Sequence, residues 1–160
     1  MKEKAAMKTK FSRQAVILAR SPALRSLEKI MKMLLAPGGC PWDRRQTHSS
    51  LLKYLREEAG EVSQAVRKKD WENLKEELGD VLLQVVFHSA LAQRDGRFCL
   101  GDVIKSINAK MVRRHPHVFA GGKLDTPGQV LRQWKQIKKE EKASAAVSAG
   151  LKKAGRGRKK

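Results

Sequence analysis

The chain has 160 residues and a formal net charge of +19, with 41% hydrophobic but only 5% aromatic residues. That length suits one domain around one core. No run approaches the roughly 18 consecutive apolar residues of a membrane span, and an apolar share carried by Leu, Val, Ala and Ile favours helices over a sheet-rich fold.

The first 20 residues hold six Lys/Arg and one acid, with a short apolar patch at Ala15–Ala19. They read as a basic, disordered arm, because the patch is short for a signal peptide and no convincing cleavage site follows. Pro22 then opens a helical pattern, with Leu24, Leu27, Ile30, Met31 and Leu34 at helical spacing. Two Pro and two Gly in APGGCPWD, residues 36–43, stop it. Thr47 or Ser49 is suited to cap a second helix running to about Lys68, and Asp70 a third from Trp71 to about Arg94. A fourth is expected from Val103 to about Arg114, ended by Pro116, and a last helical stretch from Thr126-Pro127 to about Lys142. Residues 143–160 carry six Lys/Arg and no acid, and read as a Gly-containing disordered tail. The predicted architecture is an all-α helical bundle over residues 21–142, its short connections making neighbouring helices antiparallel. The stretch DVLLQVVFHSALA, Asp80–Ala92, is apolar on nearly every side. A bundle this small barely surrounds any helix, so a homodimer is predicted.

Two cysteines, Cys40 and Cys99, lie far apart without C-x-x-C spacing. They fit a reduced, cytoplasmic protein with no metal–thiolate site. No membrane contact is expected. The basic ends suit weak contact with nucleic acid through phosphate charge, or simply keep the chain soluble.

Within LREEAGEV, Leu55–Val62, Glu58 falls on the same helical face as Leu51 and Val62, with Glu61 at the edge of that stripe. On the third helix Glu77 and Asp80 stand three apart and share a face. A tight turn around Lys69-Asp70 makes the two helices antiparallel and brings both acidic pairs to similar heights. Four carboxylates in a partly dry groove repel, and no Lys or Arg lies on those faces to neutralise them. A divalent cation would. An all-oxygen ligand set favours Mg²⁺, with Mn²⁺ as substitute. A di-iron site wants Glu-x-x-His pairs, which are missing here. His88, eight residues beyond Asp80, reads as a core or supporting residue. The plainer alternative is a set of solvated helix-surface acids, as expected for Glu72 and Glu76. Gly60, costly inside a helix, is expected to mark a close helix approach.

In NAKMVRRHPHVF, residues 108–119, Lys110, Arg113 and Arg114 share one face. With an acidic metal site they suit a polyphosphate. Alone they would be a solvated basic face. Trp134, with Lys138 one turn on, suits base stacking and a phosphate contact, or a core anchor.

Four motifs in order, GCPWDRRQTH, LREEAGEV, LKEELGDVLLQVVFHSALA and RRHPHVF, resemble the MazG nucleoside triphosphate pyrophosphohydrolases over about Leu24 to Lys142. The resemblance implies an all-α fold, usually dimeric or higher. It also implies Mg²⁺-dependent cleavage of a nucleoside triphosphate at the α–β phosphoanhydride, giving monophosphate and pyrophosphate. It maps the family's acidic signature onto Glu57, Glu58, Glu61, Glu77 and Asp80. Glu58, Glu61, Glu77 and Asp80 are then metal ligands, with Glu57 or Glu61 orienting the attacking water. Lys110, Arg113 and Arg114 would steady the β- and γ-phosphates, while Trp42, Asp43 and Gln46 would line or close the pocket. Rivals are a related all-α enzyme specific for dUTP, dCTP or phosphoribosyl-ATP, and a non-catalytic, basic nucleic-acid-binding helical protein.

Overall fold

The computed structural model describes residues 13–156, and side chains from residue 17 through 144 and at residue 146. Eight helices lie among them and no strand, so the fold is all-α. They are α1 (Arg13–Arg20), α2 (Leu24–Leu35), α3 (Pro41–Arg44), α4 (His48–Lys68), α5 (Trp71–Arg94), α6 (Leu100–Arg114), α7 (Pro116–Phe119) and α8 (Pro127–Arg156). Contacts divide the chain into two compact units, with the boundary between Val103 and Ile104, inside α6.

The first unit is built on the α4–α5 hairpin, with α2 packed on α5 and α1 on α2. Each helix end follows from local chemistry. Thr47 caps α4: its hydroxyl accepts from the Ser50 N–H at 3.1 Å, and the Ser50 hydroxyl accepts from the Thr47 N–H at 2.9 Å. This reciprocal cap satisfies two otherwise orphaned donors. The far end closes at Lys69, in the left-handed region (φ 56°), where the Lys69 N–H bonds to the Val66 carbonyl and the Asp70 N–H to the Ala65 carbonyl. Asp70 at once caps α5, its carboxylate accepting from the Asn73 N–H at 3.1 Å. The helices are thus joined by a minimal turn and fold back on each other. α2 stops at a glycine turn: a Cβ on Gly39 would lie 2.3 Å from the Leu34 carbonyl oxygen, so only glycine fits.

The core joins Met31 of α2, Leu51 of α4, and Val86, Phe87 and Leu91 of α5, with Leu100 beneath them. All are at most 5% exposed.

Several details differ from the sequence reading. Two single-turn helices, α3 and α7, form where loops were expected, each starting at a Pro whose fixed φ suits a first helical position. The fourth predicted helix begins three residues early, at Leu100. Asp102 explains this: its carboxylate accepts from the Cys99 N–H at 2.9 Å. Gly60 marks no close approach, since a Cβ there would meet nothing within 4 Å; nothing in the described residues explains a glycine at that point. The ends are more ordered than expected. Residues 13–20 are helical rather than a disordered arm, and α8 continues past Lys142 to Arg156. Its stretch ASAAVSAG, residues 143–150, holds four alanines, the best helix former, and no proline to stop the helix. The rest of the predicted arm and tail, residues 1–12 and 157–160, lies outside the described residues.

Candidate active site

Leu51, Glu58 and Ala65 are spaced by seven, which places them on one line along α4. Leu51 and Ala65 are buried (1% and 0% exposed). Glu58 between them is half-buried. The buried residues on either side keep this line of α4 at its packed face. From α5, Glu77 and Asp80 face it. One carboxylate oxygen from each of Glu58, Glu77 and Asp80 lies within 4.8 Å of the others. Glu61 stands beside both Glu58 and Glu77 and raises the proton affinity of each.

The electrostatics follow from crowding. Partial burial pushes the Glu58 carboxyl above its ordinary value, and Asp80, Glu61 and Glu77 push it the same way; when protonated, Glu58 donates a hydrogen bond to Glu61. Glu77 is raised too, by desolvation first and then by Glu61, Asp80 and Glu76. Among the described residues no ion pair involves Glu58, Glu61, Glu77 or Asp80. One turn along α5 from Asp80, the 7%-exposed Gln84 leaves its Oε1 buried without a partner.

This donor set suits a hard divalent cation. All its donors are oxygens, which favours Mg²⁺ or Mn²⁺ over softer metals. The three oxygens lie close enough together that a single ion could be shared among them. Such an ion would also remove the like-charge repulsion that raises Glu58 and Glu77.

The remaining sequence-predicted residues are placed as follows. Glu57 is exposed on α4, one residue before Glu58. Trp42, on α3, is half exposed and meets Tyr54 edge-on at 5.8 Å. Asp43, also on α3, is half-buried. Gln46 is buried and uses both ends of its amide at the α3–α4 corner: Nε2 donates to the Trp42 carbonyl at 3.0 Å, and Oε1 accepts from the Ser50 hydroxyl at 2.7 Å.

In the second unit, Lys110, Arg113 and Arg114 lie on α6, and Trp134 and Lys138 on α8. Trp134 meets His115 edge-on at 5.1 Å, and its indole N–H is buried without a partner. Lys138 is exposed. Arg113 and Arg114 converge on Glu141 of α8.

Two features escaped the sequence reading. One is Glu141, 27 residues from Arg114, for which no local spacing signals the pairing. The other is a histidine pair: the Nδ1 atoms of His48 and His88 lie 2.8 Å apart with the rings nearly parallel, 11° between planes. Helical spacing placed His88 near the core, but only the folded hairpin brings His48 to it.

Comparison with known proteins addresses the family directly. Residues 46–119 match the model of the MazG nucleotide pyrophosphohydrolase domain. A crystal structure of a mazG-related protein from Thermotoga maritima superposes with a TM-score of 0.62 and 33% identity, covering 72% of this chain and 99% of that one. The chain belongs to the MazG family. The nucleoside triphosphate pyrophosphohydrolase/pyrophosphatase MazG of Thermotoga maritima is 50% identical to it over 122 residues, 76% of this chain and 46% of the relative. The nucleoside triphosphate pyrophosphohydrolase of Escherichia coli K12 is 45% identical over 123 residues, 76% of this chain and 47% of the relative. This MazG chain thus spans about half the length of those curated relatives. The matched segment holds the three converging carboxylates, Glu61, the histidine pair and the α6 arginines.

Proposed function

We propose that this MazG-family chain hydrolyses nucleoside triphosphates at the α–β phosphoanhydride, releasing nucleoside monophosphate and pyrophosphate, with Mg²⁺ bound by Glu58, Glu61, Glu77 and Asp80. Mn²⁺ is the expected substitute. One observation carries the reading: three carboxylates of two neighbouring helices bring oxygens within 4.8 Å of one another, and no described cationic side chain pairs with them. Held this close, the carboxylates raise one another's proton affinity, and a divalent cation relieves that repulsion.

When bound, the cation supplies charge neutralisation for the phosphates and a lowered pKa for a water at the site. The chain's own residues do the rest. Glu57 or Glu61 orients the attacking water and takes its proton at a carboxylate oxygen. The water oxygen forms the new bond to the α-phosphorus as the bond to the bridging oxygen breaks. Lys110, Arg113 and Arg114 bind the oxygens of the departing pyrophosphate. Trp134 and Lys138 contact the base and a phosphate, and Trp42, Asp43 and Gln46 shape the entrance.

A homodimer is part of the proposal. Leu78, Leu82 and Val85 are 52%, 42% and 38% exposed along one stripe of α5, which a second copy of the chain would cover. Sedimentation equilibrium should give twice the chain mass, and Leu82→Arg should halve it. No described helix is long and apolar enough to cross a membrane; a cytoplasmic setting is part of the proposal. The basic ends add weak, salt-sensitive contact with nucleic acid.

The test of the reaction is Glu58→Gln. Mg²⁺-dependent pyrophosphate release from a panel of nucleoside triphosphates should fall at least about a hundredfold, while the circular dichroism spectrum stays helical. Full turnover by the folded variant would remove Glu58 from the chemistry.

A further inference from the structure

Consecutive residues on a helix point about 100° apart, so sharing one broad face does not by itself bring the guanidinium groups of Arg113 and Arg114 together. Glu141, from the next long helix, does it. Its Oε1 accepts from the Arg113 Nε at 2.7 Å, and the Nη2 of the same guanidinium group makes an ion-pair contact with it at 2.7 Å. Its Oε2 accepts from Arg114 through Nη2 at 2.7 Å and Nε at 3.2 Å. One carboxylate therefore holds two guanidinium groups by the same edge, Nε and Nη2. The Nη1 corner of each is not part of the contact with Glu141, and two guanidinium charges against one carboxylate leave the trio net positive. The Arg113 side chain is 52% exposed, so a ligand from solution reaches it, while Glu141 is 23% exposed.

We propose that Glu141 is a positioning residue, whose carboxylate sets Arg113 and Arg114 side by side as one preorganised fork for the phosphate oxygens of a nucleotide. This deepens the proposed function and rests on that reading of the two arginines. Long arginine side chains lose considerable rotamer freedom when they grip an anion. A carboxylate that has already fixed them removes that cost before the ligand arrives, and preorganisation of this kind is read as affinity. Two bare guanidinium groups would repel each other, and the carboxylate also cancels one of the two charges. Glu141 stays ionised throughout, its carboxyl held down at about 2 by the two arginines. Sequence neighbours reinforce the excess charge: residues 127–142 of α8 carry five Lys/Arg against two glutamates.

The experiment uses the full chain and two readouts. The first is calorimetric titration with inorganic tripolyphosphate, without divalent metal, at about pH 7.5 and moderate salt. The second is steady-state hydrolysis of a nucleoside triphosphate with Mg²⁺. Glu141→Gln should weaken tripolyphosphate binding about tenfold and raise KM by a similar factor, as expected for disordering one charge-assisted contact, with kcat within about twofold. Glu141→Asp, which keeps the charge on a shorter stem, should recover most of the loss and can be read alone should the glutamine variant not fold. A variant with a lowered melting temperature but unchanged affinity and KM would make Glu141 purely structural and overturn the proposal. Tighter binding in Glu141→Gln would make it a competitor for the arginines and equally overturn it. The two readouts also separate this inference from the proposed reaction. A wild-type chain that binds tripolyphosphate in a Glu141-dependent way yet cleaves no nucleotide upholds the positioning and sinks the reaction. A chain that cleaves nucleotides with affinity and KM indifferent to residue 141 does the reverse.

Discussion

The two units of this chain treat the same residue type in opposite ways. In the α4–α5 hairpin, glutamates gather around Asp80 with no cationic partner among the described residues, and Glu58 and Glu77 hold their protons more tightly than free carboxyls do. On α6 and α8, Glu141 is gripped by two arginines and releases its proton at about 2. Glu58 is carried on a helix face that packing would prefer to be apolar, between Leu51 and Ala65, and Glu77 and Asp80 meet it from α5. Glu141 answers charges that its own chain supplies. A paired carboxylate has its counter-charge inside the fold; an unpaired group of them points to a counter-charge from outside. That is why an added cation, rather than an internal salt bridge, explains the hairpin.

The strongest way to break this contrast is to neutralise one hairpin acid. Beyond the loss of activity expected for Glu58→Gln, the metal-free protein should melt at the same or a higher temperature than wild type at about pH 7. The sign follows from the proton affinities. Glu58 and Glu77 bind protons more tightly in the folded chain than at their unfolded value of 4.5, so the folded state loses stability as pH rises through that window. A neutral amide in place of the Glu58 carboxylate removes part of that loss. Mg²⁺ should then raise the wild-type melting temperature, by about 1.4 kcal/mol of stability at ten times its Kd, and should barely move the variant. A lower metal-free melting temperature for Glu58→Gln, measured by calorimetry, would mean that the carboxylates hold the hairpin together rather than strain it.

Much of this was legible from sequence because the information is local. The caps at Thr47 and Asp70 and the breaks at Gly39 and Pro116 act within four or five residues of themselves. The helix pattern from Leu24 to Arg114 followed from them. The acidic site was legible for a related reason: a minimal turn makes the register of α4 on α5 calculable, so Glu58, Glu77 and Asp80 could be placed opposite one another by counting. Glu141 was not legible, because α7, a loop and the first half of α8 separate it from Arg113 and Arg114, and no periodicity spans that gap. The histidine pair falls between. Its members belong to the same hairpin, yet its geometry depends on the exact rotation of α4, which counting does not fix. Gly60 misled, because a costly residue suggested a steric need that the packing does not have.

Titrating the paired acid tests the other side of the contrast. Glu141 is depressed from 4.5 to about 2 in the folded chain, so its contribution is fully present above 4.5 and is lost as pH falls from there toward 2. Melting temperature should decline over that range more steeply in wild type than in Glu141→Gln. Parallel curves would show that the arginine contacts contribute nothing to folding, although they could still organise the fork.

The smallest expected effect comes from the histidine pair, where two like groups share an interface and pair with each other. At 2.8 Å, one Nδ1 must donate and the other accept, so the contact carries one proton and not two. A second proton would set two N–H donors head to head in a partly dry site. Burial pushes the His88 imidazole below its ordinary 6.5, and His48 pushes it further down. The Nε2 of His88, buried without a partner, likewise has nothing there to stabilise an imidazolium. Because the folded chain binds this proton less tightly than the unfolded one, stability is complete above about 6.5 and falls as pH drops below it. His88→Phe, which keeps a flat ring against the core, should flatten the melting curve between about pH 7 and 5.5 by a few degrees at most. Ring-proton shifts in wild type should show His88 still neutral where a free histidine is half protonated. An ordinary titration of His88 would mean that the pair opens in solution and that the interface between α4 and α5 tolerates charge at this end as readily as it does around Glu58.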